Sequence, residues 1–327
     1  MTRAANRGML LVVHTGRPEA VQTARVVAQS LRSAGVTVRV LKSEADDLGC
    51  QDVTVVPPSP QASEGAEMVL VIGGDGTLLR AAELARPAGT PLLGVNLGHV
   101  GFLAEAEPDV LPDAVDHVLA GRYCVEPRMT IDAAILHNGS VSATAWALNE
   151  ATVEKAARER MLDLVTEVDG RPLARWGCDG MVFATPTGST AYSFSAGGPV
   201  VWPDVEALLL VPISAHALFA GPMVVSPESV LAAEVIGTTG DHGETSGAVL
   251  WCDGRRKVDL PPGARVEVRR GAKPVLLARL HGADIGASFT DRLVAKFGLP
   301  VTGWRGRGGA RQDAAAQMRD EEPAGDA

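Results

Sequence analysis

Met68-Val69-Leu70-Val71-Ile72-Gly73-Gly74-Asp75-Gly76-Thr77 decides the fold class of this 327-residue chain and sets a carboxylate inside a glycine cradle. The unbroken apolar run predicts a strand buried on both faces, as in a parallel sheet. Thr77, Leu78, Leu79, Ala81, Ala82 and Leu84 then predict a helix that starts at once, with Thr77 near its N-cap. Glycines at such a turn let backbone N–H groups approach a ligand, and the helix N-terminus favours anions, so the turn suits phosphate. Asp75 does not fit a passive phosphate cradle, because a carboxylate repels phosphate oxygens. It fits a site where it holds a divalent cation (Mg or Mn) or takes a proton from an attacking hydroxyl. Phosphoryl transfer to an alcohol calls for both in one place. Residues 73–77 alone also read as an ordinary Asp-Gly turn.

Outward from this stretch the first third keeps an α/β rhythm. Residues 9–13, 36–41 and 91–95 read as strands, 18–34 and 108–120 as helices closed by Gly35 and Gly121, and 57–65 as a Pro/Ser loop. Strands alternating with helices imply a parallel sheet with ligands at the carboxyl ends of its strands, where Asp75 falls. After Arg122 the rhythm changes to short alternating segments. Turn signals at Asn138-Gly139, Asp169-Gly170 and Asp253-Gly254 separate them, the pattern of an antiparallel β domain. The expected organisation is an α/β domain over 1–124 and a β-rich domain over 125–282. A segment at 283–305 returns to the first domain, its residues 288–297 helical, and a disordered tail covers 306–327.

Composition narrows the function classes. A formal net charge of −9 argues against a general nucleic-acid binder, which needs a basic surface. Cys50, Cys124, Cys178 and Cys252 lie far apart without a C-x-x-C pair, which fits a reducing cytosol rather than a zinc site or disulfide framework. Residues 9–13 are too short for a signal-peptide core. Residues 207–225 contain no charged side chain, but Pro212, His216, Gly221 and Pro222 interrupt them. They read as a buried helix-plus-strand element and not as a membrane span.

A second dense motif runs from Gly177 to Pro199, Gly-Cys-Asp-Gly-Met-Val-Phe-Ala-Thr-Pro-Thr-Gly-Ser-Thr-Ala-Tyr-Ser-Phe-Ser-Ala-Gly-Gly-Pro. After a buried strand at 181–184 it offers many hydroxyls, several glycines and Tyr192. Hydroxyls and exposed amides can bond a purine edge and a ribose, and Tyr192 can cover a ring face. An ordinary Ser/Thr/Gly loop is the alternative. Asn149-Glu150 follows the apolar strand end 146–148; an amide beside a carboxylate can grip paired ribose hydroxyls, or simply solvate a strand end. Residues 96–103 put two more glycines at a neighbouring strand end, where they line the same crevice or simply make a tight βα connection. Arg80, three residues past Thr77 in the first helical turns, reads equally as a phosphate contact and as an exposed surface residue. Neither G-x-G-x-x-G nor G-x-x-x-x-G-K-[ST] occurs, so a Rossmann fingerprint and a P-loop are both missing.

In this order and spacing, residues 73–77, Asn149-Glu150 and 177–199 resemble the bacterial NAD kinases. The resemblance runs from about residue 10 to residue 306 and takes in 96–105, 212–222 and 289–304. Residues 73–77 are shared with phosphofructokinases and with diacylglycerol and sphingosine kinases; the block from Asp179 to Pro199 makes the likeness specific. It implies the fold of the NAD kinase and diacylglycerol kinase group, an α/β parallel-sheet domain followed by a mainly antiparallel all-β domain. It implies phosphorylation of the adenosine ribose 2′-hydroxyl of NAD by ATP, or by polyphosphate in some members, to give NADP. It further implies a homodimer or homotetramer, with no nucleic-acid or membrane partner. Carried over, Asp75 is the catalytic proton acceptor, and Gly74, Gly76 and Arg80 line the phosphate side. Asn149 and Glu150 match the ribose pair, and Arg160 and Asp179 match further NAD contacts. Thr190, Ala191, Tyr192, Ser193 and Ser195 match the adenosine loop. The rivals are a lipid or small-alcohol kinase with the same glycine motif and a non-catalytic NAD sensor. The hydroxyl cluster suits a polar nucleoside better than a lipid, and a sensor has no use for Asp75 among phosphates.

Overall fold

Alternating side chains on the apolar strands of the first third serve two cores at once, one on each face of a sheet. In the computed structural model, which describes residues 7–96, 101–103, 111–156, 161–217, 219–236, 247–280 and 288–301, these strands are β1 (Gly8–Val13), β2 (Thr37–Leu41), β3 (Thr54–Val56), β4 (Met68–Ile72) and β5 (Leu92–Val95). They pair in parallel in the order β3-β2-β1-β4-β5. Met9, Leu11 and Val13 with Met68, Leu70 and Ile72 face one core, under α1 (Pro18–Ser33). Leu10, Val12, Val69 and Val71 face the other. Two further helices complete these layers as the chain proceeds, α2 (Lys42–Leu48) and α3 (Asp75–Ala85), with α4 (Leu111–Leu119) following β5. The strand Val275–Leu280 extends the sheet in parallel beside β5, and β6 (Tyr123–Arg128) closes it antiparallel.

The rest of the described chain is antiparallel. β7 (Ile131–His137), β8 (Ser140–Ala147), β9 (Glu150–Lys155), β10 (Leu162–Val168), β11 (Arg171–Cys178) and β12 (Gly180–Ala184) come first. β13 (Leu208–Ile213), β14 (Met223–Val225), β15 (Leu231–Ile236), β16 (Ala248–Cys252), β17 (Arg256–Leu260) and β18 (Arg265–Arg270) follow. They form two sheets, β11-β10-β15-β18-β7-β8 and β14-β13-β12-β9-β16-β17. One core of side chains from both, including Trp176, Phe183, Leu164, Leu210 and Val266, fills the space between them. The three turn signals make hairpins, with Asn138, Asp169 and Asp253 at φ of 51, 52 and 53°. Positive φ there matches the right-handed twist of the paired strands.

Several expectations need correction. Helix α3 begins at Asp75, and Gly74, in extended backbone, is its N-cap; Thr77 sits inside the first turn. Residues 207–225 hold two strands, β13 and β14, and no helix among the described residues, because the apolar run of β13 pairs with β12 along one edge and with β14 along the other. The chain re-enters the first sheet at Val275–Leu280, ahead of the return expected at 283, and β6 edges that sheet past residue 124. A 3-10 turn, Pro60–Ser63, interrupts the expected loop. A last helix, α6, spans Phe289–Phe297 behind Ser288, which makes a reciprocal capping box with Asp291. Arg160, residues 97–100, 104–110 and 283–287, and the expected tail at 306–327 lie outside the described residues.

Candidate active site

At the carboxyl end of β4 the chain turns straight into α3, so Asp75 sits at the helix N-terminus, where exposed N–H groups and the helix dipole gather positive potential. Its carboxylate is held from the neighbouring strand end. The N–H groups of Phe102 and Leu103 donate to Oδ2 and Oδ1, each across 3.3 Å. Gly101 makes room for this: a Cβ there would lie 2.5 Å from Asp75 Oδ1. A cleft of about 580 Å³ opens beside the motif, between the loop from His14 to Arg17, the α3 residues Gly76, Thr77 and Arg80 with Gly74 before them, and Asp253 with Arg255. Arg80 borders the cleft, and its charge is engaged within the fold. It pairs at 2.5 Å with the buried carboxylate of Glu44 and donates to the Val13 carbonyl at 2.9 Å.

Asn149 and Glu150 join β8 to β9 and are buried. The side chain of Asp253 fixes their backbone, accepting from Asn149 N–H at 2.7 Å and Leu148 N–H at 3.1 Å, while its own N–H donates to the Glu150 carbonyl at 2.9 Å. Arg256 pairs with Asp253 at 2.6 Å. Burial first, and the nearby Asp253 second, push the Glu150 carboxyl up to about 8, opposed by the Tyr192 amide. Burial raises Asp253 as well, with Arg256 opposing.

The segment after β12 folds as a 3-10 turn, Thr187–Thr190, and a single helical turn α5 (Tyr192–Ser195). Several of its hydroxyls serve the fold itself. Thr185 Oγ1 donates to the Leu148 carbonyl at 2.6 Å and accepts from Gly188 N–H, and Ser189 Oγ bonds the Val201 backbone. Gly188 presses so close to the Asn149 carbonyl that any Cβ there would overlap it. Thr190 Oγ1 donates to the Thr187 carbonyl at 3.4 Å, and Ala191 forms the junction of the two turns. Ser193 is fully buried, whereas Tyr192 and Ser195 are exposed. The Tyr192 hydroxyl meets Glu154, and burial with the charge of Glu154 raises its pKa. Asp179 stands at the same rim, held below the usual carboxylate range chiefly by its ion pair with Lys155.

Among the buried polar atoms without a hydrogen-bond partner, Asn149 Oδ1, Glu150 Oε2 and Ser193 Oγ lie here, with Arg256 Nε beside them. Buried polar groups are nearly always satisfied, so each of these atoms calls for a partner that the free fold does not supply. The structure therefore brings together Asn149, Glu150, Tyr192 and Ser193, and connects them through Asp253 to the cleft bordered by Gly74, Gly76 and Arg80. Sequence reasoning missed Asp253, which it took for a turn residue, and the loop from His14 to Arg17. Neither carried a local signal: Asp253 meets Asn149 only through the pairing of β16 with β9.

The family models for the ATP-NAD kinase N-terminal and C-terminal domains match residues 9–123 and 148–280. The NAD kinase of Thermobifida fusca (strain YX) is 61% identical over 315 residues, covering 94% of this chain and 94% of that protein. NAD kinase 2 of Streptomyces coelicolor is 60% identical over 308 residues, covering 94% and 99%. Among solved structures, yeast NADH kinase complexed with NADH shares the fold at a TM-score of 0.81 and 20% identity, over 91% of this chain and 89% of that one. With the glycine cradle around Asp75, the Asn149-Glu150 pair and the loop after β12 all in the framework these matches span, the chain belongs to the ATP-NAD kinase family.

Proposed function

We propose that this NAD kinase transfers the γ-phosphoryl group of ATP to the adenosine ribose 2′-hydroxyl of NAD, giving NADP and ADP. The trio of unpartnered atoms, Asn149 Oδ1, Glu150 Oε2 and Ser193 Oγ, carries the reading. A ribose and a base edge supply the donors and acceptors that the trio lacks, while Asp179, Thr190, Ala191, Tyr192 and Ser195 surround the adenosine. Asp75 takes the proton of the 2′-hydroxyl. The oxygen forms its bond to the γ-phosphorus as the bond between that phosphorus and the departing ADP oxygen breaks. The Phe102 and Leu103 amides occupy one acceptor site on each Asp75 oxygen and leave the others to the substrate. Gly74, Gly76 and Arg80 border the phosphates, and the family resemblance adds Arg160 to the NAD contacts.

A divalent cation fits this donor set. Among the described residues no three His, Cys, Asp or Glu side chains are grouped to hold a metal. Magnesium in nucleotide sites is bound through one or two carboxylates and the substrate phosphates, not by an all-protein cage. Asp75 would be its protein ligand, and the bound ion would neutralise charge on the transferred phosphoryl group.

We place the enzyme in the cytosol as a homodimer or homotetramer; its four free cysteines support a reducing compartment. No helix among the described residues is long and apolar enough to cross a membrane. The test is incubation with NAD, ATP and magnesium, read by an NADP-dependent dehydrogenase, with polyphosphate as a parallel donor and sedimentation for assembly. NADP formation that stops in excess chelator is expected. No NADP with either donor would overturn the reading.

A further inference from the structure

Trp146, three residues before Asn149, carries two guanidinium groups over its indole ring. The Arg86 carbon lies 4.4 Å and the Arg256 carbon 4.3 Å from the ring centroid. Each arginine is anchored elsewhere. Arg86 caps the C-terminal end of α3, pairs with Asp132 at 2.8 Å and donates to the Lys273 carbonyl at 2.9 Å. Arg256, opening β17, pairs with Asp253 at 2.6 Å and approaches Glu83 of α3 at 3.4 Å; Arg255 meets the same Glu83 carboxylate at 3.1 Å. Two like charges share one aromatic face system here, and each needs its carboxylate to stay.

The arrangement joins the two halves of the site. Helix α3 begins with Asp75 and ends at this cluster, so its position along and across the sheet is fixed at the far end by Glu83 and Arg86. The backbone at Asn149 and Glu150 is fixed by Asp253, whose carboxylate is held by Arg256. Arg256 touches all three parts: the α3 carboxylate, the indole and Asp253. We propose that Arg256, clamped on Trp146, is a positioning residue that holds the Asn149-Glu150 pair in register with Asp75, which rests on the NAD-kinase reading of that pair. Neither Arg256 nor Trp146 lines the cleft beside the Asp75 motif; they set the distance between the ribose grip and the proton acceptor.

The test compares Arg256→Gln, Trp146→Leu, Trp146→Phe and the double variant Arg256→Gln/Trp146→Leu with wild type. Steady-state kinetics at varied NAD and varied ATP is run beside thermal melting. Small displacements of positioning groups cost up to roughly 100-fold in turnover efficiency, so Arg256→Gln and Trp146→Leu should each lower kcat/KM for NAD by at least about tenfold. KM for ATP should stay within about twofold in Trp146→Leu, which leaves Gly74, Gly76 and the Arg256–Asp253 ion pair of the cleft in place. Trp146→Phe keeps an aromatic face under both guanidiniums and should restore most of the loss, whereas packing volume alone, with Phe only slightly larger than Leu, would restore a minor part. The double variant should lose little more than the worse single variant, because both act through one clamp. Should Arg256→Gln not fold, the Leu and Phe variants of Trp146 decide alone. Wild-type kcat/KM for NAD in Trp146→Leu, equal losses in its Leu and Phe forms, or fully additive losses in the double variant would overturn the inference. An inactive wild type would instead overturn the kinase reading itself.

Discussion

The backbone N–H of Phe102 donates to Asp75 Oδ2 across 3.3 Å, and the Phe102 carbonyl accepts from Arg292 of α6 at 2.9 Å. The rings of Phe289 and Phe297 lie 5.7 and 6.0 Å from that of Phe102, and Phe297 also meets Phe194 of α5 at 4.6 Å. The last described helix thus rests on both the residue that orients the proposed proton acceptor and the turn that carries Ser193. Aromatic pairs at these spacings add roughly 0.5–1.5 kcal/mol each beyond area burial.

Gly101→Ala tests the cradle. The new Cβ would lie 2.5 Å from Asp75 Oδ1, so the carboxylate must swing away from the Phe102 and Leu103 amides. Turnover is expected to fall by at least about tenfold, since reacting groups must be held to within a fraction of an ångström. The melting temperature should move little, because the group displaced is the tip of a side chain. Unchanged kcat would mean that the cradle does not orient Asp75 for reaction.

Asp75→Asn keeps the shape of the side chain and removes its charge and its ability to take a proton. Loss of a general base costs about 10²–10⁴-fold in turnover. NAD should still raise the melting temperature of the variant, because Asn149, Glu150 and Ser193 remain. A variant with more than about a tenth of wild-type kcat would sit outside that range and remove Asp75 from the chemistry.

Ser193→Ala separates ligand contact from fold. Ser193 Oγ is buried without a partner in the free protein, so deleting it removes an unsatisfied group. The apo melting temperature should hold or rise. In the complex a hydrogen bond worth about 0.5–1.5 kcal/mol is lost, so KM for NAD should rise by roughly 2–10-fold. A variant that is less stable and binds NAD as well as wild type would show that the hydroxyl serves the fold.

Much of this architecture was legible because its signals are local. The run before Gly73 could only be a strand buried on both faces, and Asn138, Asp169 and Asp253 announced their hairpins by turn chemistry alone. Asn149 and Glu150 were legible as a polar pair at a strand end; their burial was not. What escaped depends on contacts distant in sequence. Asp253 becomes a scaffold for Asn149 only because β16 lies beside β9, about a hundred residues apart in the chain. Thr185 and Ser189 looked like ligand donors, yet each finds a backbone partner within the fold. Helix α2 went unread since just Glu44 and Leu48 of its residues are buried, too few to make a period.

Glu150 makes the stability of the protein depend on pH in a direction opposite to an ordinary ion-paired carboxylate. Its carboxyl is raised from 4.5 to about 8 in the fold, first by burial and then by Asp253. Between those two values the folded protein holds a proton that the unfolded chain has released. Stability from this group is therefore full below the unfolded value and is lost as pH rises toward the folded one. Asp253 is raised as well and acts with the same sign. Glu150→Gln has no proton to lose at this position and leaves Asp253 without its like-charged neighbour. Melting temperatures measured from pH 5 to pH 8.5 should fall for wild type and stay flatter for the variant, so that the gap between them shifts steadily in favour of Glu150→Gln toward the alkaline end. Ribose hydroxyls donate most strongly to the ionised carboxylate, so KM for NAD in wild type should decrease over the same rise in pH. In Glu150→Gln that trend should vanish. Parallel melting curves for the two proteins would show that Glu150 is already ionised at neutral pH, and the ribose grip would then need another source for its pH dependence.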